Sequence, residues 1–184
     1  MNYKGFRIDI HQDEEGCSVS DALESGAATL YAWHRRYKLG EAPPWADEAR
    51  DEGKLAEAIV EHNPGAVVLP VYMLDHSGLR FSTTPFGCRW DSGQVGVIFT
   101  MEPESEGGGE RLLRAIVEEM DQRASGNVWG YVVTTPEGEQ LDSCWGFVGN
   151  EDDGYMLDEA RSAVDHEIAR RASGEQLVAE AFAL

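Results

Sequence analysis

The sequence predicts an α+β fold, a mainly antiparallel sheet built from hairpins with two or three amphipathic helices packed on it. Strand-like segments come in adjacent pairs joined by short turns, which is how antiparallel strands are connected. Helical segments do not alternate singly with strands, so a parallel sheet is not expected. The 184 residues, 42% of them hydrophobic, suffice for a single domain over residues 1–170, followed by a C-terminal tail or short helix over 171–184.

In the N-terminal part, period-two alternation predicts a half-buried strand that carries Phe6, Ile8 and Ile10 on one face. The segment 27–39, AATLYAWHRRYKL, fits either a helix or a strand followed by a turn. Residues 47–61 combine a modest apolar stripe with many carboxylates and predict a solvent-facing helix, which Asn-Pro-Gly ends at 63–65.

The middle of the chain predicts a hairpin, a strand and a helix. Residues 67–74 and 79–84 are strand-like and are joined by Asp-His-Ser-Gly at 75–78, a turn sequence. Residues 95–101 predict a further strand. Residues 111–124 predict the clearest helix, because apolar residues recur at steps of three and four and Gly126 ends the pattern.

The C-terminal part predicts a second hairpin and a last helix. Residues 128–134 and 140–148 flank Thr-Pro-Glu-Gly, with Pro in the second turn position. Residues 156–168 carry an apolar stripe at helical spacing, and Gly174 is expected to separate that helix from the tail.

Charge is where the composition departs most from an average domain. The chain has 15 Lys and Arg against 34 Asp and Glu, a net charge of −19. Such a charge repels nucleic acid and anionic membranes, so we expect no direct binding to either. It favours partners with a basic surface, although solubility or a salty environment would also account for it.

The three cysteines predict free thiols and no metal site. Cys17, Cys88 and Cys144 are odd in number and lack the close spacing of zinc ligands. Cys144 lies in an apolar strand and is expected to be buried. With no signal peptide and no apolar run near the roughly 20 residues that span a bilayer, we expect a soluble protein of the cytoplasm without cofactors.

Two stretches, 75–99 and 126–149, are rich in Trp, Gly, Ser, Thr and Asp, and each places Asp-Ser beside a Trp and a Cys. The structural interpretation is that Asp91 and Ser92 hold a tight turn while Trp90, Trp129 and Trp145 pack on the sheet. The alternative is a binding surface, in which Trp90, Asp91, Ser92 and Trp145 are interface anchors.

No complete catalytic site is visible. A cysteine nucleophile at Cys88 or Cys144 would need His76 as its base with Asp75 or Asp91 behind it, and nothing in the sequence brings these groups together. The run STTP at 82–85 lacks the Gly-rich turn and following Lys of a phosphate-binding loop. We therefore assign no catalytic residue, and we keep an enzyme built on Cys88, His76 and Asp91 as an alternative.

Three acidic helical segments could imitate the phosphate backbone of a duplex, because helical neighbours three or four apart lie only about 5–6 Å from one another. A solvated helix face is the simpler interpretation of any one row. The candidate binding carboxylates are Asp47, Glu48, Asp51 and Glu52, then Glu110, Glu118, Glu119 and Asp121, and then Glu151, Asp152, Asp153, Asp158 and Glu159.

The strings LPVYMLDHSGLRFSTTPFGCRWDSGQVGVIF, GNVWGYVV and DSCWGF resemble a family of small proteins carried by bacteriophages and other mobile elements. WHRRYKLG near residue 33 also resembles an element of that family, so the similarity spans roughly residues 28–150. The resemblance implies a phage-related accessory gene that acts in the bacterial cytoplasm. It implies no catalytic residues. Small acidic proteins in that setting are often anti-defence factors, and several of these mimic DNA.

Charge and setting together lead to a hypothesis of function. We expect a mobile-element inhibitor that binds a host nucleic-acid-handling complex, such as a CRISPR effector, through acidic and DNA-mimicking surfaces. The alternatives are the enzyme described above and a structural or regulatory phage protein whose charge is incidental. The oligomeric state is left open.

Overall fold

A computed structural model of the protein describes residues 1–15, 18–42, 52–102 and 107–182, with side chains described except at 52–53 and 174–182. The α+β prediction is confirmed: within these residues, helices pack with two antiparallel sheets of four strands. The chain divides into two compact units, one formed by residues 1–16 and 127–184 and the other by residues 17–126. The sequence predicts one domain over 1–170, because its local patterns do not show that residues 1–16 pack with residues 127–184.

Unit 1 contains sheet A, whose strand order is β1-β2-β7-β8. The strands are β1 (Asn2–Tyr3), β2 (Phe6–Gln12), β7 (Val128–Thr134) and β8 (Gln140–Val148). The predicted hairpin of β7 and β8 is confirmed with its predicted bounds. β2 pairs antiparallel with β7, with Arg7 opposite Thr134 and Gln12 opposite Trp129.

One face of sheet A is covered by α3 (Gly154–Phe182). Its residues Met156, Ala160 and Val164 are spaced by four and pack against Phe6, Ile8, Tyr131 and Val133. The prediction that Gly174 separates a tail is wrong, because the helix continues through it to Phe182. A single helical glycine costs only about 1 kcal/mol relative to alanine, which does not by itself end a helix.

Unit 2 contains sheet B, whose strand order is β3-β6-β4-β5. The strands are β3 (Thr29–Ala32), β4 (Val67–Asp75), β5 (Leu79–Ser82) and β6 (Ser92–Thr100), and a short 3₁₀ helix spans Val19–Leu23. The predicted hairpin of β4 and β5 is confirmed. The ambiguous segment 27–39 is a strand followed by a loop, so the helical alternative for it is wrong.

Helices cover both faces of sheet B. α2 (Gly108–Ala124) buries Leu113, Ile116, Val117 and Met120 in the larger core, together with Val71, Met73 and Ile98 from the sheet. α1 (Glu52–His62) packs Leu55 and Ile59 against Val97 and Phe99 on β6. The predicted start of α1 at Asp47 lies outside the described residues.

Candidate functional site

The carboxylates of α2 are largely neutralised by arginines. Arg80 donates two hydrogen bonds of 2.8 Å to Asp121, and the backbone N–H of Phe81 donates a third of 2.7 Å. The Asp121 side chain is only 13% exposed. Asp121 therefore fastens α2 to β5, and its prediction as part of a free acidic face is wrong.

The neighbouring acidic residues of α2 follow the same pattern. Glu110 pairs with Arg114 at 2.7 Å, and Glu119 pairs with Arg123 at 2.8 Å. Within the described part of the chain, Glu118 is exposed and has no such partner. Because most of these charges are balanced locally, this helix is a poor imitation of a phosphate backbone.

The first predicted acidic row lies mostly outside the described residues. This applies to Asp47, Glu48 and Asp51, and at Glu52 only the backbone is described, as the first residue of α1. The predicted surface at residues 47–52 therefore stays a prediction.

The third predicted row surrounds the start of α3. Glu151, Asp152, Asp158 and Glu159 are exposed, and Asp158 pairs with Arg161 at 3.0 Å. Asp153 has a structural role, because its Oδ1 accepts the backbone N–H of Tyr155 at 2.8 Å and so caps the helix.

Another acidic segment, Asp13–Glu15, which is not among the three predicted rows, lies at the same end of sheet A as Glu151–Asp153. The backbone N–H of Asp13 donates to the Val128 carbonyl at 2.7 Å, and that of Gly149 donates to the Asn127 carbonyl at 3.0 Å. The two segments thus follow the ends of β2 and β8, which are separated by β7 and so lie roughly 10 Å apart. We call Asp13–Glu15 and Glu151–Asp153 the acidic end of sheet A.

Trp145 lies beside this acidic end, on the face of sheet A opposite α3. It pairs with Gly130, which pairs in turn with His11, so the three form one row across the strands. The Trp145 ring approaches the His11 ring, with 6.2 Å between centroids. The side chain is 47% exposed and lines a hollow of about 620 Å³ together with Gln12 and Asp13–Glu15.

The structure corrects the predicted packing role of Trp90 and supports that of Trp129. Trp129 is partly buried and its Nε1 donates to the Gly149 carbonyl at 3.0 Å, as a structural role requires. Trp145 and, more strongly, Trp90 are exposed. Cys144, predicted to be buried, is also exposed, because β8 is the outer strand of sheet A.

Trp90 stands on a tight turn at the start of β6. Ser92 Oγ donates to the Cys88 carbonyl, and the Cys88 thiol donates to Asp91 Oδ2 at 3.6 Å. The Ser92 side chain thus bonds the turn backbone, as the structural interpretation expects, whereas the Asp91 carboxylate contacts the side chains of Cys88 and His76. The turn is also tied to β4, since the Asp75 N–H donates to the Asp91 carbonyl at 2.8 Å. The Trp90 side chain on this turn is 95% exposed.

The structure does bring Cys88, His76 and Asp91 together. His76 Nδ1 lies 3.0 Å from Asp91 Oδ2, the same oxygen that accepts the Cys88 thiol. In a nucleophilic triad the histidine stands between nucleophile and carboxylate. Here the carboxylate stands between thiol and imidazole, so the arrangement suits a turn lock better than an activated thiol.

Opposite the Trp90 turn lies the loop Trp33–Lys38, which we call the cationic loop. At its base, the N–H of Glu41 donates to the Leu30 carbonyl at 2.9 Å and the N–H of Ala32 donates to Glu41 at 3.1 Å. Gly40 permits this close return, because a Cβ there would lie 2.3 Å from the Leu30 carbonyl oxygen.

Side chains within the cationic loop fix its shape. His34 Nδ1 accepts the N–H groups of Arg36 and Tyr37, both at 3.3 Å, and its ring stacks on Tyr37 with 5.0 Å between centroids. Arg36 forms an ion pair with Asp75 on β4, and the Tyr37 hydroxyl donates to the same carboxylate oxygen at 3.4 Å.

Between the cationic loop and the Trp90 turn lies an open cleft of about 1080 Å³. Its walls combine aromatic rings, cations and hydrogen-bonding groups. They include Trp33, His34, Arg35, Arg36, Tyr37, Lys38, Asp75, Trp90, Asp91, Ser92 and Gln94.

The sequence patterns alone assign no function to the cationic loop. The signal was present as WHRRYK, in which aromatic and basic residues interleave. The ambiguous helix or strand assignment hid it, because neither regular element places all six side chains around one cleft.

Within the described ranges, no group of three or more His, Cys, Asp or Glu side chains could hold a metal ion. No described helix is both long and apolar enough to cross a membrane. No family model, curated protein or solved structure matches this chain.

Proposed function

We propose that this protein is a mobile-element inhibitor that acts by binding, and that it blocks a host nucleic-acid-handling complex, such as a CRISPR effector, with the acidic end of sheet A. One observation carries the proposal. The half-exposed ring of Trp145 lines the same hollow as the carboxylates of Asp13–Glu15. Exposed aromatic rings beside charged groups are typical of interface anchors.

The chemistry of this surface suits a partner rich in Lys and Arg. Carboxylates attract such groups, and the face of a tryptophan ring adds a cation–π contact that other apolar side chains do not supply. A basic channel that normally holds phosphates carries the complementary charge. Occupation of that channel by the acidic end would exclude nucleic acid by competition.

This surface is a better candidate than α2 because its charges are less balanced. Glu14, Glu15, Glu151 and Asp152 are exposed and pair with no Lys or Arg of the described residues. On α2, by contrast, the carboxylates of Glu110, Glu119 and Asp121 each have an arginine partner.

The test is capture of nucleic-acid-binding complexes from a bacterial lysate, followed by a DNA-binding assay on the captured complex. We expect the wild-type protein to inhibit DNA binding and to be displaced by added nucleic acid. The double variant Glu14→Lys, Glu15→Lys should bind more slowly, since charge reversal reduces electrostatic steering. Trp145→Ala should raise the dissociation rate.

The matched control is Glu57→Lys, Glu61→Lys, which reverses two exposed glutamates on α1 of unit 2. It should leave binding unchanged. Equal losses in both double variants would show that only net charge matters. Binding that tolerates added nucleic acid and the loss of Trp145 would contradict the proposal.

A further inference from the structure

We infer that the cleft of unit 2 binds an unpaired nucleotide unit, an aromatic base bearing phosphate, supplied either as a free nucleotide or by a single-stranded nucleic acid. The inference concerns a surface that the proposed function does not use. It rests on exposed aromatic rings, on two cations without an ion-pair partner in the described residues, and on the fixed shape of the cleft.

Trp90 exposes its aromatic ring at the cleft. A large apolar ring that is 95% exposed gains nothing from folding, since apolar surface is stabilising only when it is removed from water. The turn beneath it is locked by Ser92, Asp91 and the hydrogen bond from Asp75. The backbone that carries the ring is thus fixed before a ligand arrives, so its ordering adds little to the entropy lost on binding. Exposed aromatic rings of this kind stack on unpaired bases.

Cationic side chains line the same cleft. Arg35 and Lys38 are exposed on the cleft wall, and neither forms an ion pair within the described part of the chain. Arg36 differs, because Asp75 already neutralises it. Two cations that lie near exposed rings and have no carboxylate partner suit the phosphate of a ligand whose base stacks on Trp90 or Trp33.

The cleft is already formed in the unbound protein. The hydrogen bonds of Glu41 close the base of the cationic loop, His34 fixes its interior, and the N–H of Trp33 donates to the Val95 carbonyl at 2.8 Å. A volume of about 1080 Å³ is just above the usual range of small-molecule sites. It admits a nucleotide, whereas a duplex keeps its bases stacked and inaccessible.

The net charge of −19 by itself predicts no direct contact with nucleic acid. The charge acts over the whole surface and is screened beyond roughly 10 Å at 0.1 M salt. Among the described residues, the charged side chains on the cleft wall are Arg35, Arg36 and Lys38 against Asp75 and Asp91, so the cleft is locally cationic. The local arrangement therefore favours a short or single-stranded ligand over a long duplex.

Isothermal titration of the full chain tests this inference with three probes: adenosine monophosphate, a short oligothymidylate, and a duplex of the same length. We expect the first two to bind and the duplex not to bind. Equal affinity for the mononucleotide and the single strand would identify a free nucleotide as the ligand. A single strand that binds at least about tenfold more tightly, with affinity falling as salt rises, would identify single-stranded nucleic acid.

Two variants locate the site. Trp90→Ala should weaken binding about tenfold or more, the scale of one base–aromatic stack, and should leave the unfolding midpoint unchanged. The double variant Arg35→Glu, Lys38→Glu should weaken it to a similar extent. The controls are Trp145→Ala, the exposed tryptophan of unit 1, and Arg111→Glu, an exposed arginine of α2 outside the cleft.

Three results would overturn the inference. They are no binding of either unpaired probe, duplex binding as tight as single-strand binding, and affinities that Trp90→Ala and the loop variant leave unchanged. Because Trp145→Ala tests the proposed inhibitor surface and Trp90→Ala tests the cleft, failure of one proposal is distinguishable from failure of the other.

Discussion

The indole ring of Trp145 lies directly against the backbone of Gly130, its neighbour across β7 and β8. A Cβ at position 130 would lie 2.3 Å from Cε3 and 2.6 Å from Cδ2 of that ring, so any larger residue would have to displace it. Glycine at this one position therefore lets the ring lie across β7 towards His11. The candidate interface at Trp145 therefore depends on residue 130 having no side chain.

Replacement of Gly130 by alanine should lift the Trp145 ring off the sheet. The new methyl group would also lie 2.8 Å from the Cys144 carbonyl oxygen, so backbone has to move as well. We expect a loss of about 1–3 kcal/mol in the free energy of unfolding, the usual cost of overpacking. Urea denaturation measures it, and partner capture should weaken in parallel.

The control for this change is Gly154→Ala in the same unit, where a Cβ would meet no atom within 4 Å. It should leave stability unchanged or slightly raised. If Gly130→Ala is as harmless as this control, the contact between ring and backbone does not constrain Trp145.

Replacement of Asp121 by alanine should destabilise unit 2. The change removes two hydrogen bonds from Arg80 and leaves the N–H of Phe81 without its acceptor. A partly buried donor left without its partner costs about 2 kcal/mol. The measurement is the free energy of unfolding in urea.

Glu118→Ala on the same helix is the matched control for Asp121. Glu118 is exposed, so its removal should change the free energy of unfolding by no more than about 0.5 kcal/mol. Equal small effects for both residues would mean that the pairing of Asp121 with Arg80 does not hold α2 to β5.

Stability should fall in acid partly through Glu167. Hydrogen bonds from Arg170 and then Arg171 lower the pKa of this carboxyl from 4.5 to about 2. A carboxyl whose pKa is lower in the folded state contributes stability above the unfolded pKa and loses it as pH falls towards the folded one. The contribution should be complete above about pH 4.5 and lost between 4.5 and 2.

The check is a series of urea denaturations across that pH range, on the wild type and on Glu167→Gln. The stability difference between them should be largest at neutral pH and should shrink as pH falls through the window. The double variant Arg170→Ala, Arg171→Ala should show the same trend, because it removes the donors. A difference that stays constant with pH would refute the assignment.

Local patterns predicted most of the elements correctly. The hairpins of β4 with β5 and of β7 with β8 are short-range structures, whose turn residues and strand alternation lie together in the sequence. The amphipathic pattern of α2 is local in the same way. The end of α3 was missed because Gly174 is only weakly unfavourable in a helix, and the rest of the segment outweighs it.

The candidate sites are harder to predict, because the residue type alone does not determine how exposed a side chain is. Trp90 and Trp129 look alike in the sequence, yet one is 95% exposed and the other is partly buried with its Nε1 bonded to Gly149. Asp121 and Glu118 differ as much on α2. Asp121 is paired because Arg80, which is distant in sequence, contacts it, whereas Glu118 is exposed.

The sequence by itself determined the α+β class, the two hairpins, the α2 stripe and the strongly acidic composition, because each of these is a matter of neighbouring residues or of counts. The tertiary structure decided the rest. It paired β2 with β7, gathered Asp13–Glu15 and Glu151–Asp153 at one end of a sheet, and placed Trp90 across a cleft from Arg35 and Lys38. Those relationships join residues far apart in the chain, and packing of the whole molecule sets them, since local propensity carries no information about distant partners.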